Sequence, residues 1–282
     1  MSGLWGWVSW YGGHVEPTTT KEEPIDNRSV EELWLALEEA TERSEISFVN
    51  PAFIRSRFDE ISCAKQTALP GWCSRYLHAN WMGQGISERK LIASQYPFAD
   101  EALGGAGDFW SAVYRELAAI VDLTNRGDRM QFYYPCEGET LVFNDVEIRW
   151  ISTKEGISIY RVHPPGCEPR YIARLHFAGW PDHGVISLDR LHQLISQVEF
   201  MVPHPSDSVL VHCRAGVGRT GTVIAALIIK EQIERGIMRP ENLGKDLVAL
   251  VLHLRQQRNG YFVQNLEQFR LLYDYACSML SA

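Results

Sequence analysis

No stretch of the 282 residues is apolar for long enough to span a bilayer. The start, Met1-Ser2-Gly3-Leu4-Trp5, has no basic run and no cleavage pattern, so a secretory signal is not expected. An excess of positive charge is also lacking: 27 Lys and Arg face 35 Asp and Glu, a formal net charge of −8. Such a surface repels phosphate backbones, which makes nucleic acid a poor partner. Any anion site must build a local positive field against that background. The six cysteines, Cys63, Cys73, Cys136, Cys167, Cys213 and Cys277, include no CxxC pair and no Cys/His grouping at zinc spacing. No metal and no other cofactor is expected. An even count leaves disulfides open, but reduced thiols and a cytoplasmic site of action are favoured. No internal repeat is found. What is present is ordinary globular material, 45% hydrophobic and 22% charged, enough for one large domain or two small ones.

The most informative stretch is Val211-His212-Cys213-Arg214-Ala215-Gly216-Val217-Gly218-Arg219-Thr220-Gly221. The apolar Ser208-Val209-Leu210-Val211 before it reads as a buried strand. The apolar run 222–229 after it reads as a buried helix. A tight glycine-bearing loop between strand and helix is an anion cradle: successive N–H groups converge, and the helix adds its positive end. Cys213 begins the loop and Arg219 closes it. N–H donors, a helix N-terminus and a guanidinium all favour the thiolate, which is the nucleophilic form. Arg219 offers two parallel donors to a phosphoryl group. The Thr220 hydroxyl can donate to the sulfur when it leaves. His212 stands ready to tune the thiol. The loop residues Arg214, Ala215, Gly216, Val217 and Gly218 would hold the substrate's oxygens.

A second motif follows the strand expected over 172–177: Gly179-Trp180-Pro181-Asp182-His183-Gly184. Cleaving a phosphate ester with a thiolate leaves an oxyanion that needs a proton, and Asp182 is the acid to supply it. Ionised afterwards, it can deprotonate the incoming water. Trp180 and Pro181 suit a loop that swings as a stiff unit between Gly179 and Gly184, and Trp180 is counted with the substrate-binding residues.

Along the rest of the chain, residues 1–26 form an aromatic-rich segment and linker, and 27–282 the catalytic unit. Trp5, Trp7 and Trp10 either strap onto the domain or anchor it at a membrane interface or a partner. Helical periodicity begins with Val30, Leu33, Trp34 and Leu37, with Ser29 or Asn27 as cap. A second helix is expected from Pro51, and an amphipathic one with Asp108 as cap and a stripe of Phe109, Trp110, Val113, Leu117 and Ile120. Asn144-Asp145 marks a hairpin between two short strands. Helices are expected over 188–201 and from Pro240.

The Cys213 loop resembles the signature loop of the cysteine-dependent protein tyrosine phosphatases, and Trp180-Pro181-Asp182 resembles their mobile acid loop. Further matches extend the resemblance over roughly residues 50–280. Tyr76-Leu77-His78-Ala79-Asn80 is similar to Tyr-Ile-Asn-Ala-Ser in the family, with His78 a departure. Ile92-Ala93-Ser94-Gln95-Tyr96-Pro97 resembles Ala-Thr-Gln-Gly-Pro. Asp128 and Arg129 fall where the family carries an acidic and a basic residue, and Tyr133-Tyr134-Pro135 resembles Tyr-Trp-Pro. The resemblance implies that Phe58 walls a phosphotyrosine slot and that Glu60 holds the substrate backbone, although Phe58 and Ile61 are equally readable as two core residues at i, i+3 spacing. It implies that Gln264, with Gln268, orients the hydrolytic water. It implies a single α/β domain, a twisted mixed sheet flanked by helices, and metal-independent hydrolysis of phosphotyrosine in proteins. Rival readings are a phosphatase for phosphoserine, phosphothreonine or phosphoinositides, and an inactive phosphopeptide-binding module. Delivery into another cell's cytosol as an effector also stays open.

Overall fold

The computed structural model describes residues 26–70, 76–100, 104–125, 131–181 and 184–281. Nine strands form one sheet: β1 (Ala68–Pro70), β2 (Tyr76–Met82), β3 (Lys90–Ser94), β4 (Ala119–Asp122), β5 (Thr140–Phe143), β6 (Val146–Lys154), β7 (Ile157–His163), β8 (Arg170–His176) and β9 (Ser208–His212). Their spatial order is β1-β2-β3-β9-β4-β8-β7-β6-β5. The four central strands β3, β9, β4 and β8 run parallel, and antiparallel pairs extend both edges. This is the mixed sheet that the sequence predicts.

The central strands carry Val, Leu, Ile and Ala because they are covered on both faces. All five residues of β9 are buried. One face packs against α3 (Leu188–Met201), α4 (Gly218–Glu234) and α5 (Leu243–Gln257), and α1 (Val30–Glu42) and α6 (Leu266–Leu280) layer onto those helices. The other packs against α2 (Ala106–Glu116) in a smaller cluster rich in aromatic rings. In α4 every residue from Gly218 to Ile229 is buried, which explains why its sequence is apolar on all sides.

Several local expectations hold. Ser29 caps α1 in a reciprocal capping box with Glu32. Asn144 and Asp145 both take positive φ, 47° and 66°, as a two-residue hairpin of the primed type requires. Three expectations need correction. Pro51 opens only a three-residue 3-10 turn, Pro51–Phe53, because Ile54 at once turns extended and bridges to Tyr76. Asp108 is not the cap of α2: that place is taken by Gly105, and the Asp108 carboxylate, inside the first turn, accepts from Gly104 N–H at 2.8 Å. Leu117 is not core: it ends α2 in the left-handed conformation and is exposed, and Ile120 therefore lies in β4 and not on the helix stripe.

Among the described residues, Cys63, Cys136, Cys167, Cys213 and Cys277 are free thiols. No helix there is long and apolar enough to cross a membrane. Trp5, Trp7, Trp10, Cys73, Asp128, Arg129, Asp182 and His183 lie outside the described residues.

Candidate active site

The ends of the central strands meet in register. Ser94 and Asp122 both pair with His212, and His176 pairs with Asp122. Clefts in open parallel sheets form at such carboxyl ends, and here the chain leaves β9 directly into Cys213. Gly216 turns the loop at φ 75°. A Cβ there would stand 2.3 Å from the Ser94 carbonyl oxygen, so no side chain fits. The turn aims the Gly216 N–H at Cys213 Sγ, 3.3 Å away. At Gly218 a Cβ would come within 2.8 Å of Gln264 Oε1 and 3.0 Å of Gln268 Nε2. The bare loop backbone therefore faces both amides, and Gln268 Oε1 accepts from Gln264 N–H at 2.8 Å.

Cys213 and Arg219 line one cleft of about 450 Å³. Phe58, Glu60 and Ile61 form one wall, Gln264, Asn265 and Gln268 another, and Arg214, Ala215 and Gly218 belong to the floor loop. Arg219 is buried, and its Nη1 donates to the Leu123 carbonyl at 3.0 Å, which fixes the guanidinium beside the sulfur's loop. The Arg214 guanidinium lies 5.4 Å from the Phe58 ring centroid, a cation–π contact at the mouth. Phe58 is thus a cleft residue and not merely a core one. Thr220 is fully buried, and its Oγ1 has no hydrogen-bond partner among the described residues.

His212 does not face the cleft. Its ring packs edge-on against Tyr96, Phe109 and Tyr133, and its Nε2 lies 2.7 Å from Tyr133 Oη. Burial pushes the imidazole down to about 4, although the Asp122 carboxylate pulls the other way. A neutral ring behind the nucleophile follows. Trp180 is likewise no cleft residue: it is fully buried, and its Nε1 donates to the Gly184 carbonyl at 3.0 Å. It anchors the segment that leads to Asp182. Val217 is buried in the core, with its carbonyl accepting from Gly221 and Val263 N–H.

Two contributors escape sequence reading. The Leu123 carbonyl holds Arg219, and no side chain advertises it. Arg258 reads as the polar end of a helix, yet it is fully buried under the loop. Its Nε donates to the Gly216 carbonyl at 3.2 Å, and its Nη1 to Asn80 Oδ1 at 2.6 Å. Its Nη2 sits 2.9 Å from His78 Nδ1. Burial first, and then the Arg258 charge, push His78 down to about 3. Nδ1 of the neutral ring then accepts, and Nε2–H donates to the Ile61 carbonyl at 2.9 Å. With neutral acceptors around it, Arg258 adds positive potential behind the anion loop.

Against known proteins, the family model described as protein-tyrosine phosphatase matches residues 54–278. The chain is 31% identical over 212 residues to a tyrosine-protein phosphatase Lar-like of Caenorhabditis elegans, covering 71% of this chain and 9% of that protein. It is 30% identical over 223 residues to the human receptor-type tyrosine-protein phosphatase epsilon, covering 72% and 29%. The chain therefore spans less than a third of either relative. Among solved structures, the Trypanosoma brucei protein tyrosine phosphatase TbPTP1 superposes at TM-score 0.72 with 25% identity, over 89% of this chain and 92% of that one. The catalytic domain of human protein tyrosine phosphatase non-receptor type 18 shares the fold at TM-score 0.72 and 23% identity, over 89% and 94%. A family match over most of the chain, on a fold that those structures share, places this chain in the protein-tyrosine phosphatase family.

Proposed function

We propose that the protein hydrolyses phosphotyrosine in proteins through a cysteinyl-phosphate intermediate, with residues 27–282 as the catalytic unit. The observation that carries this reading is the placement of Cys213 Sγ in one cleft with Arg219, under the Gly216 N–H at 3.3 Å. Cys213 attacks phosphorus in line with the tyrosine oxygen. Arg219 and the loop amides from Arg214 to Gly218 bind the three equatorial oxygens as their charge redistributes. Asp182 protonates the leaving phenol and then accepts a proton from water. Gln264, with Gln268, positions that water over the thiophosphate. Thr220 donates to Sγ as the sulfur departs. Phe58 stacks beside the substrate ring, and Glu60, exposed on the same wall, accepts from the substrate backbone.

One solved relative of the same fold, PTPN18, is described in complex with HER2 phosphopeptides. This supports phosphotyrosine-containing proteins as the substrate class here. The free thiols and the oxidisable nucleophile favour action in a reducing, cytoplasmic compartment. The test compares turnover of a phosphotyrosine peptide, a phosphothreonine peptide and inositol-phospholipid vesicles, with Cys213→Ser as control. The account expects the first to be preferred at least tenfold and abolished in the variant. Preference for either other substrate, or turnover without Cys213, overturns it. Trp5, Trp7 and Trp10 either strap onto the domain or contact a membrane interface or a partner. In the second case, deleting residues 1–26 lowers vesicle or partner binding and leaves peptide turnover unchanged. A lower melting temperature with unchanged binding would instead make them a strap on the domain.

A further inference from the structure

The strands that end at the cleft carry a buried charge pair that the reaction above does not use. Asp122 closes β4 and is fully buried, and Arg174 lies within β8 at 3% exposure. The two side chains form an ion pair. An apolar pair of similar volume often holds a core as well as buried opposite charges do, so such a pair is weak evidence for a stabilising role. What the pair touches points to another role.

Asp122 Oδ1 accepts from Thr124 N–H at 2.9 Å and from Thr124 Oγ1 at 2.6 Å. The same oxygen lies 3.8 Å from His212 Nε2. This carboxylate therefore fixes the bend at residues 122–124. That bend has three neighbours. Leu123 N–H donates to the His212 carbonyl at 2.9 Å, on the strand that delivers Cys213. The Leu123 carbonyl holds Arg219 at 3.0 Å. The Asp122 carbonyl accepts from Phe177 N–H at 2.9 Å, and His176 Nε2 meets the Thr124 carbonyl at 2.9 Å, where β8 leads towards Trp180. Nucleophile strand, oxyanion guanidinium and acid-loop strand all converge on three residues tied down by one carboxylate.

We propose that Asp122, kept in place by Arg174, is a positioning residue that aligns Arg219 and the His212 strand end for the transition state. Neither side chain touches substrate or sulfur, and the inference rests on the phosphatase reading above. The groups facing His212 are Asp122 from β4, Arg174 and His176 from β8, and Tyr96 and Tyr133 from the loops. Burial pushes the Asp122 carboxyl up, but His212, Arg174 and His176 together hold it below the usual carboxylate range. With the His212 ring neutral, Arg174 is the lasting counter-charge. Its guanidinium is itself fixed, 3.6 Å over the Tyr134 ring.

The test uses the full chain with Asp122→Asn, which keeps the shape and removes the charge, and the double variant Asp122→Met/Arg174→Gln, which removes the ion pair from a site of similar volume. Folding is checked first by circular dichroism and urea midpoint. An alignment role predicts that kcat on a phosphotyrosine peptide falls about 10–100-fold in both variants while KM changes less than about threefold. Inhibition by orthovanadate, which mimics the transition state, weakens in proportion to kcat, whereas inhibition by inorganic phosphate changes little. Thr124→Val shows a smaller loss of the same kind. Wild-type kcat in the folded double variant overturns the proposal, as does a loss of phosphate binding equal to the loss of vanadate binding. Failure of the phosphatase reading itself looks different: Cys213→Ser would then leave turnover intact in the wild-type background.

Discussion

Replacing Cys213 by serine keeps the loop's shape but exchanges a soft nucleophile for one that does not ionise near neutral pH, so turnover of any aryl phosphate is expected to vanish. Asp182 fails differently. Asp182→Ala removes the proposed proton donor while the cradle still binds, so kcat should fall about 10²–10⁴-fold with phosphopeptide affinity within about threefold; calorimetry beside steady-state kinetics checks this. An equal loss of affinity would mean that Asp182 binds substrate and does not protonate it. Gln264 is proposed to act later in the reaction. Its amide oxygen faces the Gly218 backbone, where the proposed mechanism brings water to the thiophosphate. Gln264→Ala should therefore slow the second step more than the first and show a burst of phenol release in stopped-flow. A variant without a burst and with a slowed first step contradicts the assigned role.

At the scale of elements, the loop is held by what its glycines allow. Gly216 sits at φ 75° against the Ser94 carbonyl. Gly216→Ala is expected to destabilise by about 2–4 kcal/mol and to cost most of the activity, because β3 or the loop must move. Chemical denaturation with peptide kinetics reads both, and an active variant of unchanged stability contradicts the packing described here. The same elements explain what the sequence could and could not disclose. The strand, loop and helix around Cys213 were legible because a signature of fixed spacing coincides with apolar runs of the right lengths. The Asn144-Asp145 hairpin and the Ser29 cap were legible because local chemistry decides them. Pro51 misled because a favoured first-turn proline says nothing about how far the helix runs. The side-chain direction of His212 was hidden because the sheet face it lands on sets it, and the burial of Trp180 because the packing of the segment after β8 into the core sets it. Asp122 and Arg174 did leave a trace, each a charge inside an apolar strand, but the partner of each lies 52 residues away and only the sheet register brings them together.

At the scale of the whole molecule, an acidic chain has gathered three of the four buried arginines among its described residues around one cleft. Arg174, Arg219 and Arg258 are all buried at the carboxyl ends of the central strands or under the loop they support. Two buried histidines share that region and are held neutral, His212 pushed down to about 4 and His78 to about 3 from an ordinary 6.5. The unfolded chain takes up protons on these groups below about pH 6.5 that the fold refuses. Stability from both is therefore fully present above that pH and is lost as pH falls towards 4. Each histidine contributes up to about 1.4 kcal/mol per pH unit, so the unfolding free energy should drop by about 3–5 kcal/mol between pH 6.5 and 4.5. Urea titrations at stepped pH measure it, and His78→Asn should remove about half of the slope. A flat profile over that interval would show that neither ring is held neutral.

The central claim is that Cys213 carries the phosphoryl group between substrate and water. Rapid acid quench of Gln264→Ala during turnover of a phosphotyrosine peptide, followed by mass spectrometry of the peptide containing Cys213, tests it most directly. The account predicts a phosphate adduct on Cys213 that appears within the burst and disappears as substrate is exhausted. Turnover with no adduct on Cys213 at any time, or with the adduct on another residue, contradicts it.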